Sequence, residues 1–226
     1  MSIIAIRALR GIVCVSAALL AVSALAQPKN LDEAMSYDGL QKISVKGIDM
    51  AYALPGATLS AYTKVLIDPV GVAFHKDWKP TVTGSTRKLS SDDQQKIREN
   101  VAKIVYDAFA DELKKGGYSV VNEAGPDVLR VQAHIVNLYI TAPDTMTAGR
   151  SRVYTVTAGE MTLFAELADS DSGEIIARVV DRYQARSTGA FQLSSRVSNA
   201  AEARTAASDW AKILRNALDR AKDIGK

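Results

Sequence analysis

The chain has 226 residues, of which 28 are Lys or Arg, 25 are Asp or Glu and one is Cys. A formal net charge of +3 gives no basis for nucleic-acid binding, and a single cysteine excludes an internal disulfide or a cluster of cysteine ligands. The length suits one domain that can bury a full core.

The N-terminus has the composition of an export signal. Arg7 and Arg10 precede a short apolar run, which ends at Ala24–Ala26 and is followed by Gln27. A basic start, an apolar core and small residues at the exit are typical of a cleavable secretory signal peptide. We therefore expect residues 1–26 to be removed between Ala26 and Gln27, with the mature protein in the periplasm. The run is short and rich in Ala and Ser, and the mature chain has no segment that would span a bilayer of about 30 Å.

The single cysteine, Cys14, lies inside this signal. The apolar run continues beyond it to Ala26, whereas a lipidated cysteine must end the run, so lipid anchoring at Cys14 is not expected. Cleavage would leave 200 residues with no cysteine, and 26 basic residues would face 25 acidic ones because the removed segment carries two arginines and no acid. The mature protein is then nearly neutral.

Residues 27–45 are polar and predict an N-terminal arm or linker with one short helix at Leu31–Met35, and residues 46–226 predict a single domain. A buried strand is predicted over Val65–Ile67. Pro69 interrupts it because proline has no N–H to donate, and a second extended piece follows at Val70–Phe74.

Two long helices are predicted by their apolar spacing. The first begins at Ser91, which forms a capping-box pair with Gln94, and ends at the glycine pair at 116–117. The second covers residues 199–222, with an apolar stripe that includes Trp210.

Residues 128–140, 154–168 and 174–185 alternate with a period of two and predict strands covered on one side, the last two joined as an antiparallel hairpin. The sequence therefore predicts an α+β two-layer sandwich: a mostly antiparallel sheet of about four to six strands with two long helices packed on one face. The side chains expected on the opposite, open face are Arg130, His134, Phe164, Glu166, Arg178 and Arg182.

Motifs for catalysis or metal binding are not found in the sequence. The two histidines, His75 and His134, have no metal-ligand spacing, and no G-x-S-x-G motif occurs. Asp169–Gly173 is similar to the start of a calcium loop, but Val179 stands where the glutamate ligand would be. We therefore predict no catalytic residue, no metal and no cofactor.

Binding residues are predicted around an aromatic-His-aromatic loop, on the open sheet face and among arginines that suit an anionic envelope component or an envelope protein. The candidate binding residues are His75, Trp78, Arg150, Arg152, Phe164, Arg178 and Arg182.

Several turn and strand motifs carry a resemblance to a known family. They are Leu59–Val70 through Trp78, Gly117-Tyr118, Gly125–Val128 and Gly173-Glu174. With these motifs the chain resembles an uncharacterised family of proteobacterial envelope proteins, a domain of unknown function with many lipoproteins among its members. The resemblance covers about residues 50 to 220 and implies no catalytic residues.

Together these features predict a non-catalytic periplasmic binding or accessory protein of the bacterial envelope. Two alternatives stay open. One is a periplasmic hydrolase with a dispersed site near His75, and the other is a carrier of a small apolar ligand or lipid.

Overall fold

The structure is a computed structural model that describes residues 31–78, 90–140, 153–155, 159–184, 192–194 and 196–224. Within these residues the elements are, in chain order, α1 (Leu31–Met35), a 3-10 turn (Tyr37–Gly39), β1 (Gln41–Ile43), β2 (Met50–Ala53), β3 (Lys64–Ile67), β4 (Gly71–Phe74), α2 (Ser91–Lys115), β5 (Ser119–Val121), β6 (Val128–Ile140), β7 (Val153–Thr155), β8 (Gly159–Asp169), β9 (Ile175–Gln184), β10 (Gln192–Ser194) and α3 (Arg196–Ile224).

The main sheet is larger than predicted. It has eight strands in the order β1-β2-β9-β8-β6-β3-β5, with β4 also paired to β6. The prediction of about four to six strands is wrong because β1, β2 and β5 are three or four residues long, too short to show a period of two. The α+β class and the two long helices are confirmed.

The sheet is mixed rather than mostly antiparallel. β3 runs parallel to both β5 and β6, and β4 runs parallel to β6, whereas β1, β2, β9, β8 and β6 pair antiparallel. Parallel neighbours need a crossover of a dozen or more residues, and α2 supplies it between β3 and β5. The predicted interruption at Pro69 is confirmed, since β3 and β4 pair separately with β6.

The ends of α2 follow from local chemistry. Its N-cap is Ser90, one residue before the predicted Ser91, and the Ser90 side chain accepts a hydrogen bond from the Asp93 N–H at 3.1 Å. At the other end, Gly117 has φ +82°, and the Tyr118 N–H donates to the Leu113 carbonyl at 3.0 Å. This is the Schellman arrangement that the glycine pair predicts.

Both long helices pack on one face of the sheet, which we call the inner face. Val105 and Leu113 of α2 and Ala207 and Leu218 of α3 are fully buried in one cluster with the inward side chains of the strands. Leu129, a predicted inward residue of β6, is fully buried as well. This packing confirms the predicted alternation of β6.

One predicted strand is divided in two. The strand predicted over residues 154–168 is replaced by β7 and β8, and β7 pairs with β10 in a separate two-stranded sheet. The short strand β10 lies within a segment for which the sequence predicts no regular structure. Three-residue strands carry too little sequence pattern to be recognised. Within the part of the chain that the structure describes, no helix is long and apolar enough to cross a membrane.

Candidate binding surface

The outer face of the sheet is partly covered by the N-terminal segment, defined here as residues 31–40. Met35 and Leu40 of this segment are 2% and 3% exposed and pack with Tyr52 of β2. Further apolar side chains pack against this second cluster, and they are Met50, Leu54, Phe164, Ile175 and Val180. The expectation of an open face is therefore wrong at this end of the sheet.

Arg178 lies beneath the N-terminal segment. Its side chain is 8% exposed and donates to Glu166 Oε1 at 2.6 Å and to Asp38 Oδ2 at 2.9 Å. It also donates to the backbone carbonyls of Met35 at 3.1 Å and Tyr37 at 3.3 Å. Arg178 was predicted as an open binding residue, but its donors are directed at groups of the same chain.

Burial by itself would lower the pKa of Arg178. The hydrogen bonds to Glu166 and Asp38 outweigh that effect, and the pKa of Arg178 is raised. A second polar contact holds the segment, because both the Tyr52 hydroxyl and Lys42 Nζ donate to Asp32 Oδ1. The guanidinium and its carboxylates therefore fasten the N-terminal segment to the sheet.

The middle of the outer face is occupied by Phe164 and His134, which are cross-strand partners with ring centroids 6.4 Å apart. Phe164 is half-buried against the apolar cluster beneath the N-terminal segment, while His134 is exposed. The neighbour of His134 on β4 is Gly71, where a Cβ atom would lie 2.4 Å from His134 Nδ1. The imidazole therefore lies directly on the backbone of β4.

At the end of the outer face away from the N-terminal segment, a bulge in β6 changes which side chains face outward. Asn137 and Leu138 together oppose one residue of β8, Met161, because the register shifts between Val136 and Tyr139. Asn137 has φ +55°, a left-handed conformation that asparagine tolerates better than most residues. Regular alternation would bury Tyr139, but the bulge leaves it 42% exposed on the outer face.

Tyr139 is the centre of a continuous polar and aromatic row, which we call the open row: His75, Tyr139, Glu160 and Arg182. The His75 and Tyr139 rings meet edge to face, with centroids 6.2 Å apart. Tyr139 is the register partner of Glu160, which accepts a hydrogen bond from Arg182 at 2.7 Å. The row thus crosses from the end of β4 to β9.

The aromatic-His-aromatic loop separates into a buried and an exposed part. Trp78 is 8% exposed, stacks on Phe74 with a centroid distance of 4.0 Å, and donates its indole N–H to the Ile140 carbonyl at 3.0 Å. Trp78 therefore packs against β4 and donates a hydrogen bond to the end of β6. His75 alone of the two faces the surface, with 31% of its side chain exposed.

His75 Nδ1 accepts a hydrogen bond from the Asp77 backbone N–H at 3.1 Å, while the Asp77 carboxylate is 3.9 Å from the same nitrogen. His75 Nδ1 is therefore engaged by a backbone N–H, and the Asp77 carboxylate lies beyond hydrogen-bond distance of it.

Arg150 and Arg152 lie outside the described residues, as do the predicted cleavage site at Ala26 and Gln27 and the signal cysteine Cys14. Among the residues that the structure describes, no group of three or more His, Cys, Asp or Glu side chains could hold a metal ion.

The described arginines of the outer face each have a carboxylate partner. Arg130 pairs with Asp68 at 2.8 Å and Arg182 with Glu160 at 2.7 Å, in addition to the pairing of Arg178 described above. The hydrogen bond and the charge of Glu160 both raise the pKa of Arg182. These ion pairs neutralise the positive charge of Arg130, Arg178 and Arg182.

Several of the motifs that carry the family resemblance build turns at the end of the sheet where β6 begins and β8 ends. The Tyr62 hydroxyl donates to Asp169 Oδ2 at 2.9 Å, and burial together with this bond raises the pKa of Tyr62 to about 12. The backbone N–H and hydroxyl of Ser172, and the Tyr62 hydroxyl, hold the pKa of Asp169 below its usual value. Gly125 and Ser170 exchange two further hydrogen bonds of 3.0 Å.

Sequence reasoning missed Tyr139 and Glu160. The only local signals were an asparagine inside an alternating strand and Gly159 at the start of β8, where a Cβ atom would lie 2.8 Å from the Tyr139 carbonyl oxygen. A glycine inside a strand pattern often marks a bulge or a close backbone approach.

The fold and this surface define an α+β protein whose outer sheet face is covered at one end and exposed at the other. The chain belongs to the family described as protein of unknown function (DUF3313), whose model matches residues 31–214. This match confirms the resemblance to a family of unknown function. No curated protein matches the chain.

Two solved structures are similar to this chain at low identity. Protein XCC0632 from Xanthomonas campestris, family-model DUF330, is 14% identical with a TM-score of 0.42, and the match covers 76% of this chain and 93% of that chain. The PelC dodecamer from Paraburkholderia phytofirmans is 8% identical with a TM-score of 0.36, and the match covers 78% of this chain and 96% of that chain. Both likenesses are remote, and neither bears on what this chain binds.

Proposed function

We propose that the chain is an exported, non-catalytic binding or accessory protein of the bacterial cell envelope, which contacts its partner through the open row. The observation that carries the proposal is the division of the outer face. One end has its arginine and aromatic side chains engaged by the N-terminal segment, whereas the other presents Tyr139, His75 and Arg182 to solvent.

The position of Tyr139 supports this choice of surface. Exposing a large side chain that a strand could bury costs free energy. Here a bulge with a left-handed Asn137 directs the Tyr139 ring outward. Bulges are frequent beside binding sites because they redirect a side chain without changing the rest of the strand. The signal-peptide pattern that ends at Ala26 supports the envelope location.

Site-specific photocrosslinking in intact cells tests the contact surface. A photoreactive phenylalanine analogue is placed at Tyr139 in one variant and at Tyr37, which is 68% exposed over the covered end, in the control. We expect ultraviolet-dependent adducts from position 139 and none from position 37. Adducts of equal yield from both positions, or none from position 139, would contradict the proposed surface.

Fractionation of the same cells tests the location. We expect the protein in the periplasmic fraction, with a mature mass that starts at Gln27 and carries no lipid. A protein retained in the cytoplasm would contradict the export that the N-terminal pattern predicts.

A further inference from the structure

The open row combines one exposed ring with hydrogen-bonding groups on either side. The Tyr139 ring is 42% exposed, the His75 imidazole meets it edge to face, and the Glu160–Arg182 pair follows on the neighbouring strands. Tyrosine is amphipathic, with an apolar ring face and a polar tip. The surface therefore offers an apolar platform about the size of one ring, surrounded by donors and acceptors.

The hydrogen-bonding capacity of the ion pair is only partly used by the pair itself. A guanidinium has about five N–H donors and a carboxylate about four acceptor positions. The side-chain bond between Arg182 and Glu160 engages one donor and one acceptor position. The bond holds the two groups together on the strands next to Tyr139, where their remaining donors and acceptors can meet a ligand that presents several hydroxyl groups.

The amount of exposed apolar surface is small for a protein interface. Among the described residues, Tyr139 is the large hydrophobic side chain that is exposed at this end of the sheet, since exposed Tyr37 belongs to the N-terminal segment and exposed Ile43 to β1. A stable protein–protein interface needs a buried apolar core within about 1,200–2,000 Å² of contact. A single ring flanked by polar groups fits a smaller ligand with one apolar face.

The charges at the open row argue against an anionic ligand. Glu160 and Arg182 cancel, and the Asp49 carboxylate lies beside them, since Asp49 Oδ2 accepts the backbone N–H of Arg182 at 3.0 Å. An incoming anion would therefore be repelled by two carboxylates that lie close to Arg182. The fixed charges favour a neutral ligand.

We infer that the open row is a binding subsite for a neutral sugar ring of an envelope glycan, with the C–H face of a pyranose on Tyr139 and its hydroxyl groups on Glu160, Arg182 and His75. This inference rests on the proposed function and adds the class of ligand to it. A pyranose satisfies both requirements, because one face is apolar and its hydroxyl groups donate and accept at the rim.

The test is titration of the mature protein with neutral and acidic oligosaccharides, followed by calorimetry and by NMR of the backbone amides. Chitotetraose and maltotetraose serve as the neutral probes, a glycan array carries further neutral glycans, and an oligogalacturonate is the acidic comparison. We expect saturable binding of at least one neutral glycan, with shift changes at Tyr139 and Glu160.

Three variants assign the binding to the ring. Tyr139→Ala is expected to raise the Kd roughly ten-fold or more, whereas Tyr139→Phe keeps the platform and changes it by no more than about two-fold. Tyr37→Ala removes a tyrosine of the covered end that is more exposed than Tyr139, and it is expected to leave the Kd unchanged. Both tyrosines are exposed, so we expect the substitutions to leave the thermal midpoints unchanged. Unchanged midpoints will also show that each variant is folded.

The inference is overturned if no neutral glycan binds, if only the acidic glycan binds, or if Tyr139→Ala binds as the unmodified protein does. Crosslinks from position 139 to a protein, without any glycan binding, would overturn the sugar subsite and leave the proposed contact surface standing. Absence of both glycan binding and crosslinks would overturn both.

Discussion

Each end of the outer sheet face contains an arginine, which is buried at one end and exposed at the other. Arg178 and Arg182 lie on β9, four positions apart and on the same side of the strand. The side chain of Arg178 is 8% exposed with two carboxylates and two carbonyls around it, whereas that of Arg182 is 55% exposed and pairs with one carboxylate. The covering segment, rather than the strand, determines this difference.

The contrast shows why charge alone is a poor guide to a binding site. A buried arginine is retained because its desolvation is offset by several fixed acceptors, and its donors then serve the fold. The Glu160–Arg182 pair contributes little stability because Arg182 is 55% and Glu160 26% exposed, and this exposure leaves both groups accessible to an external ligand. Each end of the face can be perturbed separately.

The largest effect is expected from Arg178→Ala. The substitution leaves Glu166 and two carbonyls of the N-terminal segment without the Arg178 donors, and breaking such a buried pair typically costs about 3–5 kcal/mol. Urea unfolding measures the loss. The matched variant Arg182→Ala removes an exposed pair and is expected to cost less than about 1 kcal/mol. Equal losses in the two variants would show that the N-terminal segment does not bury Arg178 in solution.

Sequence patterns predicted the long elements because each repeats its signal over many residues. The 25-residue α2 shows helical spacing and a glycine stop, and Leu129 to Ile135 of β6 show strict alternation. The interruption at Pro69 followed from the missing N–H of proline. These signals are local, so they do not depend on which other elements pack around the helix or strand.

The covered end could not be predicted in the same way. Arg178 and the Met35 carbonyl are 143 positions apart, and the N-terminal segment carries no periodic pattern that would mark it as part of the sheet's covering layer. The exposure of Tyr139 depends on a one-residue bulge, which reverses the alternation beyond Asn137. A shift of one residue turns every later side chain to the other face, and sequence alternation alone does not locate it.

A smaller effect, confined to the open end, is expected from Asn137→Val. A β-branched residue is strongly disfavoured at φ +55°, and a left-handed conformation costs roughly 1–2 kcal/mol for an ordinary side chain. We expect a loss of that size in chemical unfolding, together with changed amide shifts at Tyr139. The variant Asn137→Gly relieves the same constraint and should remain within about 0.5 kcal/mol of the parent. If valine were tolerated as well as glycine, the bulge would not be fixed at Asn137.

The smallest effect is expected from acid at the covered end. The Tyr52 hydroxyl and then Lys42 lower the pKa of Asp32 from its usual value of 3.8. The stabilisation from these contacts is therefore complete above about pH 4 and is lost as the pH falls through the lower pKa of the folded state. We expect residues 31–40 to lose hydrogen-exchange protection over that range before β8 does, after correction for intrinsic exchange rates.

The variant Asp32→Asn separates this contact from general acid unfolding. It lacks the titrating carboxylate, so its N-terminal segment should be less protected near neutral pH and should change little as the pH falls toward 3. Asp127 and Asp169, whose pKa values are also lowered, hold the turns where β6 begins and β8 ends, and they are the same in both proteins. If the acid response of residues 31–40 were identical in the two proteins, the fastening of the covered end would lie with Arg178 and its partners and not with Asp32.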